Sequence, residues 1–234
     1  MGHCLMMRKG EVHTAPATYS ANFADNTWAQ IIDVCHKNKV PATWAVGNQK
    51  TMTINGTAYI IDIIGKNHDD YADGSGKAPL TFQLHDCYGE TKNMNSSKTN
   101  SGGWTSCAMR QTHLPAILSQ MPMEVQNGIR EVNKLTSAGS QSATINTTAD
   151  KLFLLSEIEI FGSVSYSKSG EGTQYDYYKA GNSKVKKFNG SAHYWWERSP
   201  RGSNSYDFCF VNSSGYANDY IASYASGVAF AFCF

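Results

Sequence analysis

The chain has 234 residues, a formal net charge of +1 and a charged fraction of 17%. That length suffices to bury a core without disulfide or metal staples. The near-neutral balance leaves no electrostatic footprint for nucleic acid or for an anionic membrane surface. No apolar run approaches the ~20 residues of a membrane-spanning helix. Cysteines at 4, 35, 87, 107, 209 and 233 lack the CxxC spacing of a zinc site. They read as small buried hydrophobes.

Residues 1–21 show no clear period and read as a leader or crossing segment. Leu5 to Met7 is a short apolar patch followed by Arg8 and Lys9, the reverse of a secretory signal. A helix is expected next, capped by Asn26 or Thr27, with Trp28, Ile31, Ile32 and Cys35 on one face. It should end near Asn38, before Pro41. The strongest hairpin signal follows: strands 51–54 and 57–64 flank Asn55-Gly56, a dipeptide suited to a type I′ turn. A polar loop over 65–78 leads to a strand over 80–84. A Ser/Asn-rich loop then precedes a second main helix from Trp104, and Pro115 opens a further short turn. Glu124 to Lys134 fits helix or strand, and 136–149 reads as loop. Leu152 to Leu155 is a buried strand, and Ser156 with Glu159 caps a short helix ending at Gly162. Residues 163–190 carry little core pattern. Tyr194 to Arg198 is a strand, and closing strands are expected near 206–212, 216–222 and 227–234. The class is α+β: two main helices, short antiparallel strands and long loops.

Few residues suggest catalysis or metal binding. Asp69, Asp70 and Asp73 are weak candidates for oxygen ligands, without EF-hand spacing; the preferred reading is a loop held by Asx-turns and a satisfied histidine, and no metal is expected. His85-Asp86-Cys87 invites a nucleophile reading, yet neighbours on a strand face opposite ways. Glu197-Arg198 after two tryptophans reads as a buried anchor tying loops together through charge-assisted bonds. No cofactor is expected.

The tail, Ser199 to Phe234, has a composition of its own. It holds nine aromatic residues but no Lys, Glu, Gln, Met or Trp. Those five types supply 44 of the first 198 residues, so about eight would fall in the tail by proportion.

Gly102-Gly103-Trp104, Met109-Arg110, Leu152 to Glu157, Ile160-Phe161-Gly162, Trp196 to Pro200 and Gly227-Val228-Ala229 together resemble the DUF6273 type of phage and gut-bacterial proteins. The resemblance spans about Asn22 to Phe234. It implies a C-type-lectin-like (formylglycine-generating-enzyme-like) ligand-binding domain over 22–234. The tail resembles the variable region of proteins diversified by retroelements. There, template adenines in AAC codons are mutated, and the resulting codons never encode Lys, Glu, Gln, Met or Trp. On that resemblance the diversified, ligand-binding positions are Arg201, Gly202, Tyr206, Asp207, Phe210, Asn212, Ser214, Tyr216, Asn218, Asp219, Tyr220, Ile221, Tyr224 and Ser226. Ser199, Pro200, Phe208, Cys209, Val211, Gly215, Ala222, Ser223, Gly227 and Val228 would be framework. No Pro lies in a Glu-Pro-Asn or Gln-Pro-Asp triplet, and no Trp precedes Asn, so calcium-mediated sugar reading is not expected.

The resemblance thus implies a non-enzymatic binder of a protein or glycan target on a cell or phage surface. It would sit on a phage virion or a bacterial surface, and a homo-oligomer is allowed. Two alternatives stay open. One is an oxidase-like enzyme on the same scaffold, using Cys209 and Cys233 on neighbouring strands. The other is a structural virion or surface component.

Overall fold

The computed structural model describes residues 19–234, so nearly all of the expected leader lies outside the described residues. Thr27 opens α1 (Trp28–His36) through a capping box with Gln30, each side chain accepting from the other residue's amide. The helix buries Trp28, Ile31, Val34 and Cys35. Just beyond its end, Asn38 takes a positive φ of 51°. Asn55 and Gly56 have φ angles of 46° and 77°, as a type I′ turn demands. They join β1 (Gln49–Ile54) to β2 (Thr57–Gly65) in unbroken antiparallel register. β3 (Thr81–Leu84) pairs with the far side of β2.

The second main helix does not form as expected. α2 (Gly103–Ser106) ends at Cys107, whose backbone is extended. The chain resumes as one π-turn, Met109–His113, and then α3 (Leu114–Leu118) with Pro115 in its first turn. The interruption buries both Cys107 and Met109. It also lets Arg110 reach Asp150 and the carbonyls of Thr105 and Ala149. α1 has nine residues, and every other α-helix has four to six.

α4 (Met123–Gly128) and β4 (Val132–Ser137) divide the ambiguous stretch, helix first. β5 (Ile145–Asp150) is a strand where the sequence reads as loop, paired with β4 along its whole length. Its residues Asn146, Thr147, Thr148 and Asp150 hide the apolar alternation that marks a strand; Thr148 and Asp150 are nevertheless buried.

β6 (Leu152–Phe153) precedes α5 (Glu157–Phe161), which has the expected Ser156–Glu159 capping box and stops at Gly162 with φ 74°. The segment without core pattern holds α6 (Asp176–Lys179) and most of the hairpin of β7 (Lys186–Phe188) and β8 (Ser191–His193). β9 (Trp195–Pro200), β10 (Asp207–Val211) and β11 (Ala217–Ile221) form a three-stranded antiparallel sheet with β10 in the middle.

The last strand leaves that sheet. β12 (Ala231–Cys233) inserts between β3 and β6, giving a five-stranded antiparallel order β1-β2-β3-β12-β6. Its aromatic content explains the choice. Phe82 meets Phe232 and Phe234, each at 5.3 Å between ring centroids, and Trp28 meets Phe234 at 6.0 Å. The Tyr71 hydroxyl donates to the Phe234 carbonyl at 2.7 Å. A strand this apolar needs cover on both faces. The architecture is a mixed α/β arrangement of mostly small antiparallel sheets with few, short helices. No helix among the described residues is long and apolar enough to cross a membrane.

Candidate ligand-binding face

The nine aromatic residues of the tail divide by type. Tyr206, Tyr216, Tyr220 and Tyr224 are exposed, at 39%, 70%, 47% and 51%, whereas Phe208, Phe210, Phe230, Phe232 and Phe234 are all buried. The phenolic hydroxyl lets a ring sit half in water, and a bare benzyl group gains more by burial.

β10 and β11 carry much of this surface. Asp207 faces Ile221, Cys209 faces Asp219, and Phe210 faces Asn218 across the pair. The tip is a compact turn. Asn212 accepts from the amides of Ser214 and Tyr216 at 2.9 and 3.0 Å, and Gly215 has φ 83°. Asn212 is thus a turn-holding residue as well as a candidate contact, and Ser214 stands exposed at the tip. Arg201 forms an ion pair with Asp219, and its guanidinium lies 5.4 Å from the centre of the Tyr166 ring. That pairing raises the Arg201 pKa. The Gly202 amide donates to the Tyr166 carbonyl at 2.8 Å. Asp207 is buried, which raises its carboxyl pKa, while Asn204 donates to it at 2.7 Å. Ile221 is half-buried, and the buried Ser226 donates to the Tyr194 carbonyl at 2.9 Å.

Of the expected framework, Phe208, Cys209, Val211, Ala222, Gly227 and Val228 are buried, and Ser223 is exposed. Gly227 is required by close approach: a Cβ there would stand 2.5 Å from the Cys87 sulfur and 2.7 Å from the Tyr194 carbonyl oxygen.

Three residues outside the tail complete the face. Asn100 is fully buried. Its amide nitrogen donates to the carbonyls of Asn204 and Asp207 at 3.1 and 2.8 Å, and its oxygen accepts from the Ser140 amide at 2.8 Å. It pins the 201–207 loop from a segment that reads only as polar linker. Tyr194 and Trp196, two apart on the approach to and start of β9, join Phe210, Asn218, Asp219, Tyr220, Tyr224 and Ser226 around a hollow of about 540 Å³. Their i, i+2 spacing was the available signal. Phe210 lies at its centre, with centroids 5.2 Å from Tyr194, 5.9 Å from Trp196 and 6.4 Å from Tyr220. Tyr220 and Tyr224 are 4.8 Å apart. A smaller hollow of about 260 Å³ lies beside Arg110, Leu114 and Asp150; there Arg110 is already paired with Asp150.

Residues 69–234 match the family described as "Domain of unknown function (DUF6273)". The chain belongs to this family. No characterised protein and no solved structure matches it.

The DUF6273 region is tied together by buried charge. Lys134 lies 2.7 Å from Asp69 and 2.8 Å from Glu159, and Arg198 makes a two-pronged contact with Glu159 at 2.5 and 2.8 Å. The four side chains are buried, two cations against two anions. Arg198 also donates to the carbonyls of Leu135, Leu154 and Glu171, the loop-tying role expected of it.

The carboxylates of the acidic loop are taken up by ion pairs. Burial pushes the Asp69 carboxyl up, but Lys134, His68 and the Thr81 hydroxyl pull it down and hold it at about 2. Asp70 pairs with Lys77 and Asp73 with Arg130. The three carboxylates serve three different cations, and the described residues contain no group of three or more His, Cys, Asp or Glu placed to hold a metal.

The cysteines at 35, 87, 107, 209 and 233 are buried, as small hydrophobes are expected to be. Cys209 lies on β10 and Cys233 on β12, in different sheets. Burial raises both thiols well above the ordinary value. Cys87 is pushed up to about 12 by burial, and His85 pairs with Asp62 at 2.9 Å.

Proposed function

We propose that this protein is a non-enzymatic ligand binder with a C-type-lectin-like fold. Its 201–226 surface is diversified by a retroelement to recognise varying protein or glycan targets on a cell or phage surface. The division of the tail carries the reading. All four tyrosines are exposed and all five phenylalanines are buried, within a segment lacking the five residue types that mutated AAC codons cannot encode. Tyrosine supplies contact area at low entropic cost. The candidate positions Arg201 and Asp219, half-buried and paired with each other, add polar contacts to the same face.

Replacing Tyr216, Tyr220 and Tyr224 together by alanine should abolish target binding, as losing several aromatic anchors does. The circular dichroism spectrum and melting temperature should stay close to those of the parent. Unchanged affinity would sink this face as the binding surface. Sequencing the gene across a natural population gives the second readout. A diversified binder varies at the codons of the exposed positions, whereas uniform sequences favour a structural virion or surface component.

A further inference from the structure

The hollow beside β9–β11 is floored by the buried Trp196 and Phe210 and walled by the exposed Tyr194, Tyr220 and Tyr224. Tyr194 and Trp196 stand at 82° and 89° to Phe210, Tyr220 at 72° to Phe210, and Tyr224 at 68° to Tyr220. A flat ligand stacks on a single open ring face. Rings set nearly perpendicular instead surround a compact group from several sides. Apart from the hydroxyls of Tyr194, Tyr220 and Tyr224, the polar lining is largely committed. Ser226 donates to the Tyr194 carbonyl, Asn218 accepts from the Asp219 amide, and Asp219 pairs with Arg201. The Trp196 indole N–H donates away to the Lys92 carbonyl at 2.8 Å. None of the eight lining residues is Lys or Arg, and one is an aspartate.

We propose that this hollow binds a quaternary ammonium group, an inference that rests on the ligand-binding reading above and specifies its chemistry. A primary ammonium brings three N–H donors that need acceptors, and beyond the tyrosine hydroxyls the lining has few to spare. A quaternary ammonium brings none. It is held by the electron-rich ring faces alone and is repelled by no lining cation. The cage has two parts. Tyr194 and Trp196 lie outside the diversified tail and are its fixed part, an exposed wall and a buried piece of the floor. Phe210, Tyr220 and Tyr224 are candidate variable positions. Sibling proteins with other residues at 220 and 224 would then keep the hollow and change its preference.

The test is a titration of the full chain, followed by tryptophan fluorescence and calorimetry, with choline, Nε-trimethyl-lysine, butylammonium and 3,3-dimethylbutan-1-ol, the neutral carbon isostere of choline. Choline and trimethyl-lysine should both bind, at least about tenfold more tightly than the isostere or butylammonium. Their order shows whether a choline head group or a methylated lysine is the better source. Tyr220→Leu and Tyr224→Leu should each weaken binding about two- to thirtyfold, and Tyr220→Phe should retain it. Equal binding of the neutral isostere would overturn the cation assignment. Equal binding of butylammonium would overturn the quaternary one, and no saturable binding by the parent protein would overturn the site. If the triple tyrosine variant loses its target while choline neither binds nor competes, the cage fails and the diversified-binder reading stands. If choline binds but the gene is invariant, the reverse holds.

Discussion

Glu197 lies in β9, fully buried, and neither of its carboxylate oxygens has a hydrogen-bond partner in the protein. Burial, then the neighbouring charges of Glu157 and Glu171, push its pKa well above the ordinary glutamate value. Glu171 beside it is itself pushed up to about 7 by burial. Replacing Glu197 with leucine removes an unpaired buried acid and puts apolar surface of similar size in its place. An unsatisfied buried polar group costs about 1–3 kcal/mol, so the variant should be more stable by about that amount even at pH 5. The gap should widen with pH. The raised folded pKa means that above 4.5 the native state keeps a proton that the unfolded chain has released. The parent therefore loses stability as pH rises from 4.5 towards the folded pKa, by up to about 1.4 kcal/mol per pH unit. Leucine abolishes the Glu197 contribution to that slope. Urea unfolding at pH 5 and pH 8, followed by tryptophan fluorescence, measures both effects. In thermal melts each kcal/mol should appear as about 2–4 °C. Glu197→Gln should flatten the slope with a smaller gain, because it still buries an unpaired amide. A leucine variant less stable than the parent, or a gap that does not widen with pH, would refute the reasoning.

Two further outcomes are expected. Lys134→Met leaves Asp69 and Glu159 without the ammonium between them, and should destabilise the fold by about 3–5 kcal/mol in urea unfolding; a loss below about 1 kcal/mol would show that the network is not coupled to folding. Burial raises the Cys35, Cys87 and Cys107 thiols to about 12 and those of Cys209 and Cys233 well above the usual value. Iodoacetamide at pH 8 should therefore modify none of these five in the native protein and all of them after denaturation, as mapped by mass spectrometry; native labelling of Cys209 or Cys233 contradicts the packing.

Local chemistry was legible where the signal is itself local. The two capping boxes and the Asn55-Gly56 turn involve residues within four positions of each other, and each forms as its sequence suggests. Arg198 was readable as an anchor because a charged side chain between tryptophans and Ser-Pro demands partners. β5 escaped because its buried Thr148 and Asp150 are polar and are satisfied across the chain. The Thr148 hydroxyl meets Asp150 at 2.6 Å, and Asp150 takes the Trp104 indole N–H at 2.9 Å. The second helix was overcalled because periodicity cannot show that Cys107 must turn inward. Asn100 was unreadable as an organiser, since all the partners of its side chain lie about forty or a hundred residues away.

The amino-acid sequence alone set the composition of the tail, its five missing residue types and its interleaving of small residues with Tyr, Asn and Asp. Those properties need no coordinates. Tertiary structure decided which aromatics face solvent. The three-stranded sheet leaves Tyr216 and Tyr220 on an open hairpin, while β12, between β3 and β6, carries Phe232 and the following Phe234 into the buried interior of the other sheet. It also decided that Asp69 serves Lys134 and that Tyr194 and Trp196 close the hollow opposite the tail's own rings. The reason is one of range. Propensity and capping act within a turn of chain. Burial and pairing of charge depend on which distant strands become neighbours, and here that was set by the need to cover a doubly apolar final strand.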